Sequence, residues 1–412
     1  MNAPAESRWV SFPPYVARRP RALPGGFRAT GVACGIKPSG DFDLGVLVSD
    51  EAATTSAARF TRSGVLAAPV IVTRDRCRLD AIRAVVVNSG NANAATGGRG
   101  FDAAVHMQGA AAMVTGVDAG TVAVASTGVI GVQLDGGKVV RGLAAARPTL
   151  TADGADEFSR AIRTTDAFAK EAMLDVELPS GTVRLSAQAK GAGMISPAFA
   201  TMLCFVQTDA AMSAETCDLL LGVCVKRSFD RISVDGQLST NDTVILMASG
   251  ASGVSVRPES EDELRLGQAL DALLRHLAVL IVRDGEGSRR IGRVVAEAAD
   301  ERNAVRAARA VANSPLVKTA LYGGDPNWGR IAQAVGAALA DQAPVALDIW
   351  IGDVQVCARG AAISHDAELL AAAATGEEVD YRVGLGGEGA QAEVFFSDLS
   401  YEYVRINGEY TT

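Results

Sequence analysis

The chain has 412 residues, enough for more than one domain and a sizeable hydrophobic core. Hydrophobic residues make up 48% and charged residues 21%, as in ordinary globular proteins. The net charge of −8 argues against nucleic acid or an anionic membrane as the main partner, and no apolar run reaches the length of a membrane span.

Residues 1–25 contain arginines and prolines but no apolar segment typical of a secretory signal, so we expect a loose N-terminal arm. The six cysteines form no Cys-x-x-Cys pair, and the three histidines are not spaced as metal ligands. We therefore expect a cytoplasmic protein with reduced cysteines, no metal site and no Ser-His-Asp triad.

Short apolar runs separated by turn formers predict alternating strands and helices along the chain. The predicted strands are 45–47, 57–60, 70–72, 84–87, 122–125, 175–178, 183–187, 201–206, 244–247, 344–351, 354–357, 380–383 and 392–396. The predicted helices are 101–114, 156–163, 213–229, 262–283, 303–312 and 367–374. This alternation indicates an α/β protein, but it does not choose between a doubly wound parallel sheet and a layered sandwich.

Two polar motifs follow predicted strands in the first half. The run 88–93, Asn-Ser-Gly-Asn-Ala-Asn, could serve a ligand or bond to its own backbone. The run 126–131, Ser-Thr-Gly-Val-Ile-Gly, places the hydroxyl of Thr127 beside the peptide N–H of Gly128. Two such donors are what an oxyanion hole requires, although Thr-Gly at a strand end is also common turn chemistry.

The stretch 190–210 joins a Gly- and Pro-rich loop to a predicted buried strand. At the junction, Ala200 precedes Thr201, and a sharply bent loop could bring the Thr201 hydroxyl against the Ala200 carbonyl. Attack there would convert the amide to an ester, and water could then cut the chain. Thr201 would gain a free α-amine, a built-in base that titrates near neutrality. The plain alternative is a threonine that merely starts a strand.

Two further loops combine glycines with charged residues. Glu286 in Asp284-Gly-Glu-Gly287 could approach and bind an ammonium group, or could simply be solvated in a helix-ending turn. The loop Gly323–Arg330 could position Arg330 or only make a tight turn. The aromatic tail, residues 400–412, is expected to be ordered and to pack on a surface.

The chain resembles the ornithine acetyltransferase family over essentially residues 28–412. The resemblance is carried by short motifs in the family's order: Asn88–Asn93, Ser126–Gly131, Thr164-Thr-Asp166, Lys190-Gly-Ala-Gly-Met194, Ala200-Thr-Met-Leu203, Thr208-Asp209, Ser239-Thr-Asn-Asp242, Asp284–Gly287, Asn313–Thr319, Gly324–Arg330 and Tyr403–Asn407. One departure is Phe199, where many relatives have methionine; it puts the rate of cleavage in doubt rather than the type of reaction.

The resemblance implies an αββα sandwich with a smaller α/β domain in the later half. It also implies cleavage between Ala200 and Thr201 into α and β chains that assemble as an α2β2 heterotetramer. The expected divisions are an arm (1–25), the α chain (26–200), a part of the β chain that completes the sandwich (201–284), the smaller domain (285–399) and a tail (400–412) that returns to the active site.

The reaction implied by the resemblance moves acetyl from N2-acetylornithine to glutamate through an acetyl-Thr201 intermediate, in a ping-pong mechanism without a cofactor. Thr201 would be the nucleophile and, through its α-amine, the base, and Thr127 and Gly128 would hold the oxyanion. The substrate contacts carried over from the family are Thr164, Thr165, Lys190, Thr201, Glu286, Asn407 and Thr412. Lys190 suits a carboxylate and Glu286 an ammonium group.

Four alternatives stay open at this point. The enzyme could also use acetyl-CoA as a donor, as the bifunctional members do, or it could be a related self-processed amidohydrolase or aminopeptidase. It could be a specialised acetyltransferase with another acceptor. A non-enzymatic amino-acid-binding module would show neither cleavage nor an acyl-enzyme.

Overall fold

The computed structural model describes residues 6–19, 22–196, 202–387 and 389–409. The predicted cleavage residues Ala200 and Thr201, the neighbouring Phe199 and the terminal Thr412 lie outside the described residues. No helix in the described ranges is long and apolar enough to cross a membrane.

Strands and helices are interspersed along the described chain, as predicted for an α/β protein, although several strands or helices follow one another directly. The strands are β1 (Val16–Arg18), β2 (Phe27–Val32), β3 (Leu44–Ser49), β4 (Thr55–Phe60), β5 (Ala84–Asn91), β6 (Val122–Val129), β7 (Lys170–Leu178), β8 (Gly181–Lys190), β9 (Leu203–Thr208), β10 (Ile232–Ser233), β11 (Thr243–Ala248), β12 (Ile291–Ala298), β13 (Asp348–Ile351), β14 (Val354–Ala358), β15 (Ala361–Ala362), β16 (Glu378–Gly384) and β17 (Ala390–Ser397). The helices are α1 (Ala68–Arg76), α2 (Gly97–Thr115), α3 (Gly136–Ala146), α4 (Ala155–Ala161), α5 (Ala214–Arg227), α6 (Glu261–Arg283), α7 (Glu301–Asn313), α8 (Pro315–Gly323), α9 (Trp328–Ala338), α10 (Ala367–Ala374) and α11 (Tyr401–Glu409).

Two sheets pack face to face in the first two thirds of the chain. One has the order β1-β7-β8-β9-β11-β4 and the other the order β2-β3-β5-β6. Their facing side chains, including Val85, Phe205 and Ile245, form one buried cluster. The outer face of the four-stranded sheet packs on α1, α2 and α3, and the outer face of the six-stranded sheet packs on α5 and α6. The layers are therefore helix, sheet, sheet, helix, and the predicted αββα sandwich is confirmed.

Strand β9 is buried on both faces, as its apolar sequence predicted. Because side chains alternate along a strand, Leu203 and Phe205 point between the sheets while Cys204 and Val206 point toward α5 and α6. The strand begins at Leu203 rather than at the predicted residue 201. Its pairing with β8 also starts at Leu203, which lies opposite Lys190.

The later part of the chain builds a separate mixed sheet, with the order β10-β17-β12-β16-β13-β14-β15. It has its own buried cluster, made largely with α7, α8 and α9. The predicted hairpin is present: β13 and β14 pair antiparallel, with Ile351 opposite Val354.

Some predicted elements were wrong. Residues 70–72 belong to helix α1, not to a strand, because a short apolar run does not distinguish the two; Pro69 in the first turn was the available signal for a helix. The predicted loop 323–330 ends in helix α9, and Asn327 caps its first turn. The tail is ordered as α11 and packs against the protein, as expected: the Tyr403 hydroxyl donates to Asp235 at 3.4 Å, although Tyr401 is 84% exposed. Sequence patterns also missed β1, β2, β10, β12, β15, α3 and α8. Because β1 pairs antiparallel with β7, residues 16–18 of the expected loose arm belong to a sheet.

Replacing Phe205 with alanine should lower the free energy of unfolding by about 3–5 kcal/mol, because the space left between the two sheets cannot be fully refilled. Phe205 is fully buried and contacts Phe158 edge to face, with ring centroids 5.5 Å apart. Thermal unfolding measures the effect. The control is Met113→Ala: Met113 is 81% exposed, and its change should stay within about 0.5 kcal/mol. A loss as small for Phe205→Ala would contradict this description of the core.

Candidate active site

One cavity lies where strands β5, β6 and β8 end and where β11 begins. It is lined by residues from both sheets, from the loops between them and from α11: Ala92, Thr127, Gly128, Ile130, Thr164, Thr165, Lys190, Gly193, Met194, Ser239, Thr240, Asn241, Glu286 and Asn407. Seven of the eleven sequence motifs named above therefore contribute to one cavity although they are far apart in the chain.

The wall formed by Thr127 and Gly128 depends on the parallel pairing of β5 with β6, in which Gly128 lies opposite Gly90. Gly128 has φ +131°, and a methyl group there would lie 2.3 Å from the carbonyl carbon of Gly90. Only glycine can occupy this position without moving the neighbouring strand. A hydroxyl and a glycine peptide are thereby held side by side at the cavity.

The Asn-rich run 88–93 mostly bonds to nearby protein atoms. The side chain of Asn88 donates to the carbonyl of Asn91 at 2.8 Å and accepts from the Ser126 hydroxyl at 2.5 Å. Asn93 donates to the carbonyl of Gly100 at 2.8 Å. These bonds favour the interpretation in which the run bonds to backbone atoms of the protein, and so stabilises the strand ends, over the one in which it serves a ligand.

Lys190, the last residue of β8, is 3% exposed and brings a cation to the cavity. Its Nζ donates to the hydroxyls of Thr127 at 3.1 Å and Thr164 at 2.9 Å. Burial lowers the pKa of Lys190, and the nearby Asp166 carboxylate opposes that change. Of the two predicted threonines, Thr164 is the one that contacts this lysine, while Thr165 also lines the cavity.

Glu286 and Asn407 form a second polar part of the cavity lining. The side chain of Asn407 donates to Glu286 Oε2 at 2.8 Å, and the backbone N–H of Glu286 donates to the carbonyl of Ala192 at 3.0 Å. A methyl group at Gly193 would lie 2.8 Å from the same carboxylate oxygen. Glycine at this position of the Lys-Gly-Ala-Gly motif thus lets Glu286 approach the loop closely.

Two aspartates hold the chain on either side of residues 197–201. Asp235 accepts the backbone N–H groups of Met194 at 2.7 Å and Ile195 at 2.9 Å. Asp242 accepts that of Met202 at 2.9 Å. Sequence reasoning gave these aspartates no role; the signal was their position at the two ends of the polar run 233–242.

Asp242 is fully buried, and burial raises its pKa well above the ordinary value for a carboxyl group. Asn241 beside it donates to the carbonyls of Ala92 at 2.7 Å and Ser126 at 2.9 Å. This links the two sheets at the cavity. The Ser-Thr-Asn-Asp motif therefore builds the wall rather than presenting one isolated group.

Seven predicted site residues thus come together: Thr127, Gly128, Thr164, Thr165, Lys190, Glu286 and Asn407. Arg330 is not among the lining residues; it donates from α9 to the carbonyl of Leu316 at 2.9 Å, so the Gly323–Arg330 motif makes a turn between helices. In the described part of the chain, no group of three or more His, Cys, Asp or Glu side chains is arranged to hold a metal ion.

A sequence model described as the ArgJ family matches residues 28–412. The chain is 41% identical over 392 residues to the arginine biosynthesis bifunctional protein ArgJ of Symbiobacterium thermophilum, covering 94% of this chain and 98% of that protein. It is 42% identical over 398 residues to the protein of the same name from Geobacter sulfurreducens, covering 94% and 99%.

Two solved structures are also similar. One is the arginine biosynthesis bifunctional protein ArgJ of Bacillus halodurans, at 35% identity with a TM-score of 0.48, covering 50% of this chain and 98% of that chain. The other is the ornithine acetyltransferase of Mycobacterium tuberculosis in complex with ornithine, at 35% identity with a TM-score of 0.41, covering 45% of this chain and 98% of that chain.

Replacing Gly128 with alanine should destabilise the protein by about 1–3 kcal/mol, because the added methyl group forces β5 and β6 apart. The thermal midpoint measures this loss. Gly136→Ala is the control, since a methyl group at Gly136 meets nothing within 4 Å. Equal midpoints for the two variants would show that the Gly128–Gly90 contact does not constrain the strand pair.

Proposed function

The chain belongs to the ArgJ family, and we propose that it transfers an acetyl group from N2-acetylornithine to glutamate through an ester on Thr201. The resemblance deduced from the motifs is confirmed by the family match over residues 28–412. The protein is an acyltransferase of arginine biosynthesis: a glutamate N-acetyltransferase that is also an amino-acid N-acetyltransferase.

The observation that carries the proposed mechanism is the placement of complementary groups around one cavity. The Lys190 cation and the Glu286 carboxylate line it together with Thr127 and Gly128. An N-acetylated diamino acid presents the matching groups, namely a carboxylate, an ammonium and an amide carbonyl. The cavity also includes Gly193 and Met194, close in sequence to the proposed cleavage site.

Self-cleavage is the first proposed step. The Thr201 hydroxyl attacks the Ala200 carbonyl, the C–N bond breaks, and the acyl group moves to Oγ as an ester. Water hydrolyses that ester, leaving the Ala200 carboxylate and a free α-amine on Thr201. Asp235 and Asp242 support this step by fixing the backbone before and after residues 197–201.

Acetyl transfer then uses the same hydroxyl. The α-amine of Thr201 takes its proton as Oγ attacks the acetyl carbonyl. Thr127 and the Gly128 N–H would bind the resulting oxyanion. Since the Thr127 hydroxyl accepts from Lys190 Nζ at 3.1 Å, its own proton is available for that oxyanion.

Collapse of this intermediate releases ornithine, whose leaving amine takes the proton from the Thr201 amine. The glutamate amine then attacks the acetyl ester, and N-acetylglutamate leaves while Thr201 regains its proton. This is a ping-pong sequence, in which water must be excluded between the two halves.

The remaining contacts follow from charge. Lys190 would bind the substrate α-carboxylate, beside Thr164 and Thr165. Glu286 would bind the ornithine side-chain ammonium or the incoming amine, and Asn407 orients that carboxylate at 2.8 Å. Thr412, at the end of the tail that carries Asn407, is proposed as a further substrate contact.

We also propose that no cofactor is required and that acetyl-CoA can serve as an alternative donor for glutamate. An α2β2 assembly and a cytoplasmic location, as implied by the family resemblance, complete the proposal.

Thr201→Ala should yield one uncut chain without transferase activity, because both the hydroxyl for cleavage and the nucleophile are lost. Denaturing electrophoresis and an assay of N-acetylglutamate formation measure the two effects. Thr182→Ala, an exposed threonine of β8, is the control and should be cut and active. Normal cleavage or full activity of Thr201→Ala would refute the role of Thr201.

Assays with different acetyl donors distinguish a transferase from a hydrolase and test whether acetyl-CoA is used. With N2-acetylornithine and no glutamate, the wild-type enzyme should release about one ornithine per site and then stop, as expected of a ping-pong acyl-enzyme. Acetyl-CoA with glutamate should give N-acetylglutamate. Continuous release of ornithine and acetate without glutamate would indicate a hydrolase, and no product from acetyl-CoA would exclude the second donor.

A further inference from the structure

A buried cluster of charges lies behind the cavity wall that contains Lys190. At its centre is Lys170, the first residue of β7, whose side chain is fully buried. Its Nζ lies 2.6 Å from Asp166 Oδ1 and 2.5 Å from Asp284 Oδ2. Lys170 is not among the described residues that line the cavity, and the proposed reaction gives it no role.

The two aspartates belong to the motifs Thr164-Thr-Asp166 and Asp284-Gly-Glu-Gly287, and both bind the backbone of the site loops. Asp166 accepts the N–H groups of Gly191 at 2.7 Å and Thr164 at 3.1 Å. Asp284 accepts that of Ala167 at 3.0 Å. Lys170 therefore ties together the segments that carry Thr164 and Glu286 and the loop that begins after Lys190.

Asp166 is placed between two lysines at unequal distances. Its carboxylate lies 2.6 Å from Lys170 and 4.0 Å from Lys190. Although burial raises the pKa of Asp166, the charges of Lys170 and Lys190 outweigh burial and hold it below the ordinary value. An ionised Asp166 would compete with any anion for Lys190, and Lys170 is the group that neutralises it.

The hydrogen bonds of Lys190 are consistent with Lys170, rather than Lys190, neutralising Asp166. Its Nζ donates to the hydroxyls of Thr127 and Thr164, within hydrogen-bonding distance, instead of to Asp166. A lysine bonded to neutral hydroxyls keeps its charge available for an incoming carboxylate, whereas a lysine paired directly with an aspartate does not.

We propose that Lys170 is a positioning residue for substrate recognition: by pairing with Asp166 and Asp284, it leaves the charge of Lys190 free for the substrate α-carboxylate. This inference rests on the proposed function, which assigns that carboxylate to Lys190. Without Lys170, Asp166 turns to Lys190 and the enzyme loses its preference for a carboxylate-bearing donor.

The test compares two donors that differ only in the carboxylate, N2-acetylornithine and N-acetylputrescine. The acetylation half-reaction, measured as amine release without glutamate, gives kcat/KM for each donor, and their ratio is the discrimination. Lys170→Met should lower the ratio by about tenfold or more, chiefly through a higher KM for N2-acetylornithine. Lys190→Met should abolish the discrimination.

The double variant Lys170→Met/Asp166→Asn is the decisive one. It removes the competing anion and leaves Asp284, whose pKa burial already raises, so it should recover most of the discrimination and fold more readily than Lys170→Met alone. The matched control is Lys318→Met: Lys318 is 3% exposed and is not among the lining residues, so its loss should lower stability without changing the ratio.

The outcomes separate the two proposals. If Lys190→Met keeps the discrimination, the assignment of the carboxylate to Lys190 falls and this inference falls with it. If Lys190→Met loses it but folded Lys170→Met keeps it, only the inference is overturned. If Lys170→Met does not fold, the double variant is compared with Asp166→Asn: equal ratios support the inference, and a further loss in the double variant overturns it.

Discussion

The register of three adjacent strands determines where the site forms. Lys190 at the end of β8 lies opposite Leu203 at the start of β9, and Leu203 lies opposite Thr243 at the start of β11. A shift of one residue in this pairing would turn every side chain of β9 to the opposite face of its sheet. Side chains that fit between the two sheets would then face α5 and α6 instead. Burial of β9 on both faces therefore fixes the register, and the register places Lys190 opposite Leu203, which follows Thr201 by two positions in the sequence.

Close approach of backbones then shapes the cavity. Gly128 permits β6 to lie against Gly90, and Gly193 permits the Glu286 carboxylate to approach its loop. Neither glycine supplies a reactive group. Each one instead lacks the Cβ atom that would hold the neighbouring strand or the Glu286 carboxylate farther away. Small residues therefore set the spacing of the site, and the charged residues near them set its charge.

The buried charges are costly, and this cost has a functional explanation. Fully buried lysines are rare in proteins because desolvation disfavours them. Lys170 and Lys190 lie on adjacent strands, β7 and β8, with Asp166 in contact with the first and 4.0 Å from the second. Apolar residues could fill the same volume at lower cost, but they could not keep one lysine bonded and the other available to a ligand.

Local sequence indicated an α/β protein, and only the family resemblance added the αββα class. Local sequence did identify the elements with the clearest patterns, such as α6 with its helical leucine spacing and β9 with its apolar run. It also marked Thr127, Gly128 and Glu286, because hydroxyl, glycine and charge at predicted strand or helix ends are locally visible, whereas Lys190 was marked by the family resemblance. It did not reveal the roles of Asp235 and Asp242, or that Lys170 joins Asp166 to Asp284, because those contacts join residues up to 114 positions apart. Only the tertiary structure decides such contacts, since burial and strand register, not neighbouring sequence, bring their partners together.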